Sequence, residues 1–405
     1  MNQLRFGRPA NRPIRSSLAV LLAVTILAAT HLDPALTPPV AAGPVGQAAG
    51  TRVAWQGGAW YLQGANVPWF NWACDFGCGA NGGASAPAVQ AALGTTFAQA
   101  RSSGVRVLRW WTFEGDPWQV TRDGSGAPAG LNPAVYADFD AALQLAEQHD
   151  LYYNFVLFTA PSGLPPGWLT DAAQRARLAA ALAPLFARYK GNPRVLSWEV
   201  FNEPDWDVWN GNVALADLRA TVKAVGDAVH ANSTAYVTVG MGFADGLPMV
   251  QGLGLDYYQA HWYDYMAGGT FCMRCNSYDY YRSTFGLDAP LVVGETYAGP
   301  DTDALQRFED FYAKGYAGAW AWSLFWDHTF DRMQVDLAAA ATFNGRHADL
   351  GPRSGGAPTP IPSVTPSPTA TVTSTPSPTL VTSVTPTSTA TSRRPKPTRH
   401  PTRTP

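Results

Sequence analysis

Between residues 51 and 350 a short apolar run followed by a helical stretch recurs about eight times, and this alternation leaves the chain very few folds. The runs fall at 62–67, 105–110, 152–158, 195–201, 235–239, 258–263, 291–294 and 319–324. Several, such as YYNFVLF, are nearly continuous in apolar residues, the pattern of parallel strands covered on both faces. Eight strand–helix units predict an α/β fold closed into a (β/α)8 TIM barrel, with its chemistry at the carboxyl ends of the strands. The rival, an open doubly wound sheet, carries a glycine-rich phosphate loop after its first strand. GANVPWFNW is no such loop.

Helix punctuation supports the alternation. Asn132 followed by Pro133 reads as an N-cap and first helical position. Thr170 reads as the cap of the next helix, whose Leu178, Leu182 and Leu185 share one face before Lys190 and Gly191 end it. Further helical patterns cover 216–230 and 303–317.

The two ends differ from this middle. In residues 1–50, four arginines precede the apolar stretch 18–29, a signal-peptide layout with cleavage sites near Ala29 and near Ala42 that fit equally well. An uncleaved anchor is the alternative, and a secreted or cell-surface location is expected in either case. Residues 351–405 are rich in Pro, Thr and Ser, too poor in apolar surface to offset the entropy of ordering, and predict a disordered tail. Its basic end, SRRPKPTRHPTRTP, reads either as a contact for anionic cell-wall polymers or as a solvated remnant. The expected catalytic domain is therefore 51–350, with a monomer as the expected state.

These ends mask the charge of the middle. The whole chain carries 28 basic and 30 acidic groups, yet residues 51–350 hold 18 against 29, a net of −11. Such a surface repels polyphosphate and argues against nucleic acid as a partner. All 15 tryptophans also lie in this stretch, where flat indoles both fill cores and stack on sugar rings.

Two glutamates stand where apolar runs end: Glu203 in WEVFNEPD and Glu295 in LVVGETY. Two carboxylates brought to one barrel mouth are the minimum equipment for splitting a glycosidic bond, one holding a proton while the other stays charged. Plainer readings compete. Glu203 is also a helix-start carboxylate before Pro204, Glu295 a buried partner for Arg109, and Arg109 a holder for Glu199, itself read as structural. His261 reads equally as a core histidine, and Glu114, Asp205, Asp207 and Asp327 as solvated loop charges. The chemistry requires neither metal nor cofactor.

Cys74 and Cys78 in CDFGC and Cys272 and Cys275 in CMRC predict disulfides, since an even count in an exported chain favours bridges; four cysteines allow three pairings, of which the two local ones, Cys74 with Cys78 and Cys272 with Cys275, are expected. A four-thiolate zinc site across the barrel top fits the same spacings. Trp69, Trp72, Trp110, Trp111, Trp206, Trp262 and Trp326 lie near the expected mouth and are candidates to line a cleft, with some of them expected to be packing.

The order of these motifs resembles clan A of the glycoside hydrolases, and most the cellulase and mannanase family, glycoside hydrolase family 5. The resemblance implies Glu203 after Asn202 as acid/base, Glu295 as nucleophile, and Arg109, Asn202, His261, Tyr263 and Trp322 as substrate-binding residues, with Trp320 in the place of Trp322 if the strand phase is shifted. It further implies a retaining double displacement on a β-linked polysaccharide or oligosaccharide of mannan or glucan type. An exo-acting β-glycosidase and a non-catalytic carbohydrate-binding barrel are the alternatives. The chain departs from the family at FVLFTAPSGLPPGW, where relatives place a polar sugar contact, and at CDFGCG.

Overall fold

The computed structural model describes residues 50–114, 117–325 and 333–352; the leader, the tail beyond Pro352, Trp326 and Asp327 lie outside the described residues. Eight parallel strands follow one another: β1 (Gly58–Val67), β2 (Val107–Phe113), β3 (Tyr152–Phe158), β4 (Val195–Asn202), β5 (Tyr236–Met241), β6 (Tyr258–His261), β7 (Leu291–Tyr297) and β8 (Gly318–Trp322). Each pairs with the next, and β1 pairs with both β2 (Gly64 opposite Val107) and β8 (Leu62 opposite Gly318), which closes the barrel. Every run expected from the sequence overlaps one of these strands. The sixth stops at His261 rather than at 263; its last rung to β7 is the Trp262 N–H donating to the Glu295 carbonyl at 2.9 Å.

The runs are continuous in apolar residues because both faces are buried. Outward side chains such as Leu108, Tyr153 and Val200 pack under the helices, while Leu62, Val107, Tyr152, Leu196, Tyr257, Val292 and Trp320 fill the barrel floor. A short strand Val53–Trp55, antiparallel to β1, brings Val53 and Trp55 into that floor cluster. Above the floor lies a polar layer of Asn66, Arg109, Asn154, Ser197, Glu199 and Gln259, all buried. That layer lies beneath the mouth formed by the strand ends.

Seven α-helices cover the barrel among the described residues: α1 (Pro87–Ser102), α2 (Ala134–His149), α3 (Ala172–Arg188), α4 (Leu215–Asn232), α5 (Tyr278–Phe285), α6 (Ala304–Ala313) and α7 (Leu337–Arg346), with two short turns of helix at Pro166–Thr170 and Pro204–Trp209. Between β5 and β6 the expected helix is replaced by a 3-10 segment, Ala244–Met249. Pro248 lies inside it, and Gly246 is packed so closely on Asp205 that a Cβ would fall 2.8 Å from the carboxylate.

Two caps differ from expectation. Asp171, not Thr170, caps α3, its carboxylate accepting from Ala173 N at 2.8 Å and Gln174 N at 2.9 Å; a charged acceptor at the positive helix end outcompetes a hydroxyl. Thr170 instead closes the preceding turn by donating to the Pro166 carbonyl. Helix α2 begins at Ala134, one residue later than expected, although the Asn132 side chain does accept from Ala134 N at 3.0 Å.

Candidate active site

Glu203 follows directly on the last residue of β4 and adopts a left-handed conformation, φ 47° and ψ 45°. For a non-glycine residue this is strained, on the order of 1–2 kcal/mol, and such strain persists only where the surroundings impose it. Here they do. Glu203 N donates to the Gly240 carbonyl at 2.6 Å, Pro204 starts a new helix, and the buried Asp205 carboxylate accepts from Gly242 N (2.8 Å) and Phe243 N (3.0 Å) on the neighbouring loop. The turn leaves the Glu203 side chain 29% exposed at the mouth.

Glu295 stands near the end of β7, where the pairing with β6 is irregular between Val293 and Glu295. Its carboxylate is almost buried, Oε1 accepting from Arg109 Nη1 at 2.6 Å and Oε2 from the Tyr263 hydroxyl at 2.7 Å. Burial pushes this carboxyl above its ordinary range and the Glu203 charge adds to that, while His261, Arg109 and Tyr263 pull the other way. Ligand atoms of Glu203, His261 and Glu295 all lie within 4.8 Å of one another. The same triple has the shape of a cation site, yet Glu295 already holds the Arg109 guanidinium, whose charge opposes a second cation.

His261 is fully buried and bonds Glu203: its Nδ1 lies 2.9 Å from Glu203 Oε1 and 3.4 Å from Glu295 Oε2. Burial pushes the imidazole down to about 4, so it is neutral at neutral pH. Nε2 has no acceptor, which places the single proton on Nδ1, aimed at the carboxylates.

Arg109 lies beneath the mouth, not in it. A guanidinium offers five N–H groups. All five are used: Nε and Nη2 fork onto Glu199 (2.8 and 2.6 Å), Nη1 meets Glu295 (2.6 Å) and Asn66 Oδ1 (3.0 Å), and Nη2 also meets Asn202 Oδ1 (2.6 Å). Fully buried, with no proton left for a sugar, Arg109 is displaced from the substrate-binding set in which the family resemblance put it. Asn202, bonded through its oxygen, keeps its amide N–H groups to donate and is half-buried at the mouth.

The phase of β8 is settled by its two tryptophans. Trp320 is wholly buried in the floor, its indole N–H donating to the Leu62 carbonyl at 3.1 Å, whereas Trp322 is part-exposed at the mouth and meets Trp111 edge-on at 5.2 Å. Trp111 continues to Trp69 (5.7 Å) and Trp69 to the half-exposed Trp72 (4.1 Å), a run of indoles leading away from Glu295. Across the mouth Trp206, Trp209, Phe243 and Phe271 form a second group with centroid spacings of 5.0 to 6.4 Å. Trp110 and Trp262 are core residues, buried against Phe76 and Phe311.

The cysteines form the two local disulfides, Cys74–Cys78 and Cys272–Cys275, which leaves no thiolate for zinc. Asp205 and Asp207 are buried rather than solvated; Asp207 accepts from Ser162 N at 2.7 Å and Asn212 Nδ2 at 3.0 Å. Glu114 accepts from the Thr159 hydroxyl at the FVLFTAPSG end. Asn66, Asn154 and Gln259 escaped the sequence reading, although each is legible as a polar residue interrupting an apolar run in GANV, YYNFVLF and YYQAH.

No family model matches the chain. A curated mannan endo-1,4-β-mannosidase of Mytilus edulis is 24% identical over 330 residues, covering 68% of this chain and 86% of that protein. Among solved structures, the β-mannanase of the blue mussel Mytilus edulis superposes with a TM-score of 0.60 at 22% identity, over 76% of this chain and 98% of that one. The endo-1,4-β-mannanase of Eisenia fetida gives 0.60 at 20% identity, over 74% and 93%. These likenesses show that the chain shares the closed barrel fold of the two mannanases.

Proposed function

We propose that this chain is an exported, retaining β-glycoside hydrolase that cleaves a β-mannan within the polymer. The observation that carries the reading is the convergence of Glu203 and Glu295, whose oxygens come within 4.8 Å of each other around His261. Carboxyl groups about 5 to 5.5 Å apart leave no room for a water between acid and sugar, so the second carboxylate attacks directly; inverting pairs sit at roughly 6.5 to 9.5 Å. In the first step a Glu295 oxygen bonds the anomeric carbon, the bond to the leaving oxygen breaks, and Glu203 transfers its proton to that oxygen. In the second, water attacks the anomeric carbon, Glu203 takes its proton, and the ester bond returns its electron pair to Glu295. Configuration is retained after two inversions.

The surroundings suit these roles. Arg109 and Tyr263 favour the charged form of Glu295 against the effect of its burial, and the Asn202 amide, with N–H groups left to donate, suits a sugar 2-hydroxyl, a contact that strengthens as the ring becomes cationic. Trp322 and the indoles beyond it offer flat faces to successive sugar rings. Mannan as the substrate and attack within the polymer rest on the curated mussel protein and the mannanase structures. Two disulfides fit an oxidising compartment.

Hydrolysis assayed on mannan, cellulose, xylan and mixed-linkage glucan, with the first anomer followed by NMR, tests the reading. Mannan cleavage with retention is expected, and Glu203→Gln and Glu295→Gln should each lower kcat by about 10³-fold or more while sugar binding persists. An inverted first product, or undiminished turnover in either variant, removes the assignment.

A further inference from the structure

The polar layer beneath the mouth holds a buried carboxylate that the reaction leaves without a task. Glu199 lies on β4, is fully buried, and accepts four hydrogen bonds: two from Arg109 (2.8 and 2.6 Å), one from Asn154 Nδ2 (2.6 Å) and one from Gln259 Nε2 (3.0 Å). Burial pushes its carboxyl up, but Arg109 and Asn154 hold it below the ordinary range. Buried ion pairs are poor stabilisers compared with apolar packing, so a pair beneath the reacting mouth asks for a reason other than stability. The backbone makes room for it. A Cβ on Gly240 would fall 2.4 Å from Glu199 Oε1 and 2.8 Å from Arg109 Nη2.

The arrangement divides one cation between two anions. Facing the Arg109 guanidinium are Glu199 from β4 and Glu295 from β7, with neutral His261 on β6, Tyr263 just beyond β6, and Glu203 just beyond β4 completing the charged and titratable groups around Glu295. We propose that Glu199 is a positioning residue for the reaction, acting through Arg109: it fixes the plane of the guanidinium so that Nη1 meets Glu295 and Nη2 meets Asn202, and it offsets part of the cation's charge so that Glu295 stays basic enough to attack. The inference rests on Glu295 being the nucleophile.

Two variants separate charge from geometry. In Glu199→Gln the guanidinium stays on Glu295, Asn202, Asn66 and the Trp111 ring, 4.3 Å away, but its charge is no longer offset. Glu295 then ionises more readily, and the acid limb of kcat/KM against pH should move down by about one unit, with kcat falling about 10²-fold and KM changing less than about threefold. Glu199→Asp keeps the charge but is one methylene shorter and draws the fork away from Glu295. Its acid limb should move up.

Opposite displacements by two conservative changes at one buried position are a signature that a purely structural role does not produce; such a role lowers the melting temperature and leaves the limb in place. Unmoved limbs, or limbs that move in the same direction, overturn the proposal. If only one variant folds, the sign of its own shift decides, and if neither folds Glu199 belongs to the core alone. Failure of the underlying reading looks different: a Glu295→Gln protein that still turns over mannan removes the nucleophile itself, whatever Glu199 does.

Discussion

At the scale of single residues, the site depends on side chains whose protonation is set by burial. His261 shows this most directly. With the folded imidazole pushed down to about 4 and an unfolded value near 6.5, the unfolded chain binds the extra proton between those limits. Its contribution to stability is therefore complete above pH 6.5 and is lost as pH falls toward 4, by about 3 kcal/mol in all. Denaturant unfolding of the wild type and of His261→Gln at pH 7.5 and at pH 4 should show the wild type losing that much relative to the variant. Asp205, pushed up to about 7 chiefly by burial and also by Glu203, has a slope of the opposite sign, but it is present in both proteins and cancels in the difference. A pH-independent difference between the two proteins contradicts the buried neutral imidazole.

At the scale of elements, the loop between β1 and α1 is held far more firmly than a connection needs. Cys74–Cys78 closes it, Asp75 accepts from Phe70 N, Asn71 N and Trp110 Nε1 (2.7, 2.7 and 2.9 Å), and Asp138 on α2 accepts from Gly77 N, Gly79 N and Ser85 N (2.7, 2.9 and 2.9 Å). The product of this anchoring is a fixed platform: Trp72, 49% exposed, tilted against Trp69 at 4.1 Å and leading to Trp111 and Trp322. Under the mannanase reading, Glu203 serves the leaving-group side, so this run of indoles faces the sugars on the other side of the cleaved bond. Trp72→Ala should then lower kcat/KM on mannan and long oligosaccharides by about tenfold and leave a two-sugar chromogenic substrate unaffected. An equal loss on both substrates would place Trp72 elsewhere in the mechanism.

For the whole molecule, closure of the barrel depends on residues that are small where others are large. Gly64 on β1 faces Trp320 on β8; a Cβ there would lie 2.3 Å from the indole and 2.7 Å from the Val107 carbonyl. The indole fills the floor only because Gly64 leaves space, and a backbone carbonyl cannot swing aside as a side-chain tip can. Gly64→Ala is expected to destabilise by about 3 kcal/mol, lowering the melting temperature by about 5 °C, as read by calorimetry. Because β1 carries Asn66 two residues on, and Asn66 accepts from Arg109, the same change should also lower turnover of the folded protein.

The repeat of apolar run and helix determined by itself that this chain closes a parallel barrel, because hydrophobic period and strand polarity are local properties and all eight runs lie where strands form. The sequence also singled out Glu203, Glu295 and the four cysteines, since carboxylates at strand ends and short cysteine spacings are visible without coordinates. What it left open were the partnerships. Whether Arg109 serves Glu199 or Glu295 had two rival answers, and both hold, because five donors in one plane reach five acceptor atoms on three strands. That His261 turns to Glu203, that Trp320 sinks into the floor while Trp322 stays at the mouth, and that a 3-10 segment replaces a helix after β5 were decided only by the tertiary structure. Strand residues alternate faces by number, but which neighbour a side chain meets across a closed barrel depends on register and tilt, which no single segment encodes.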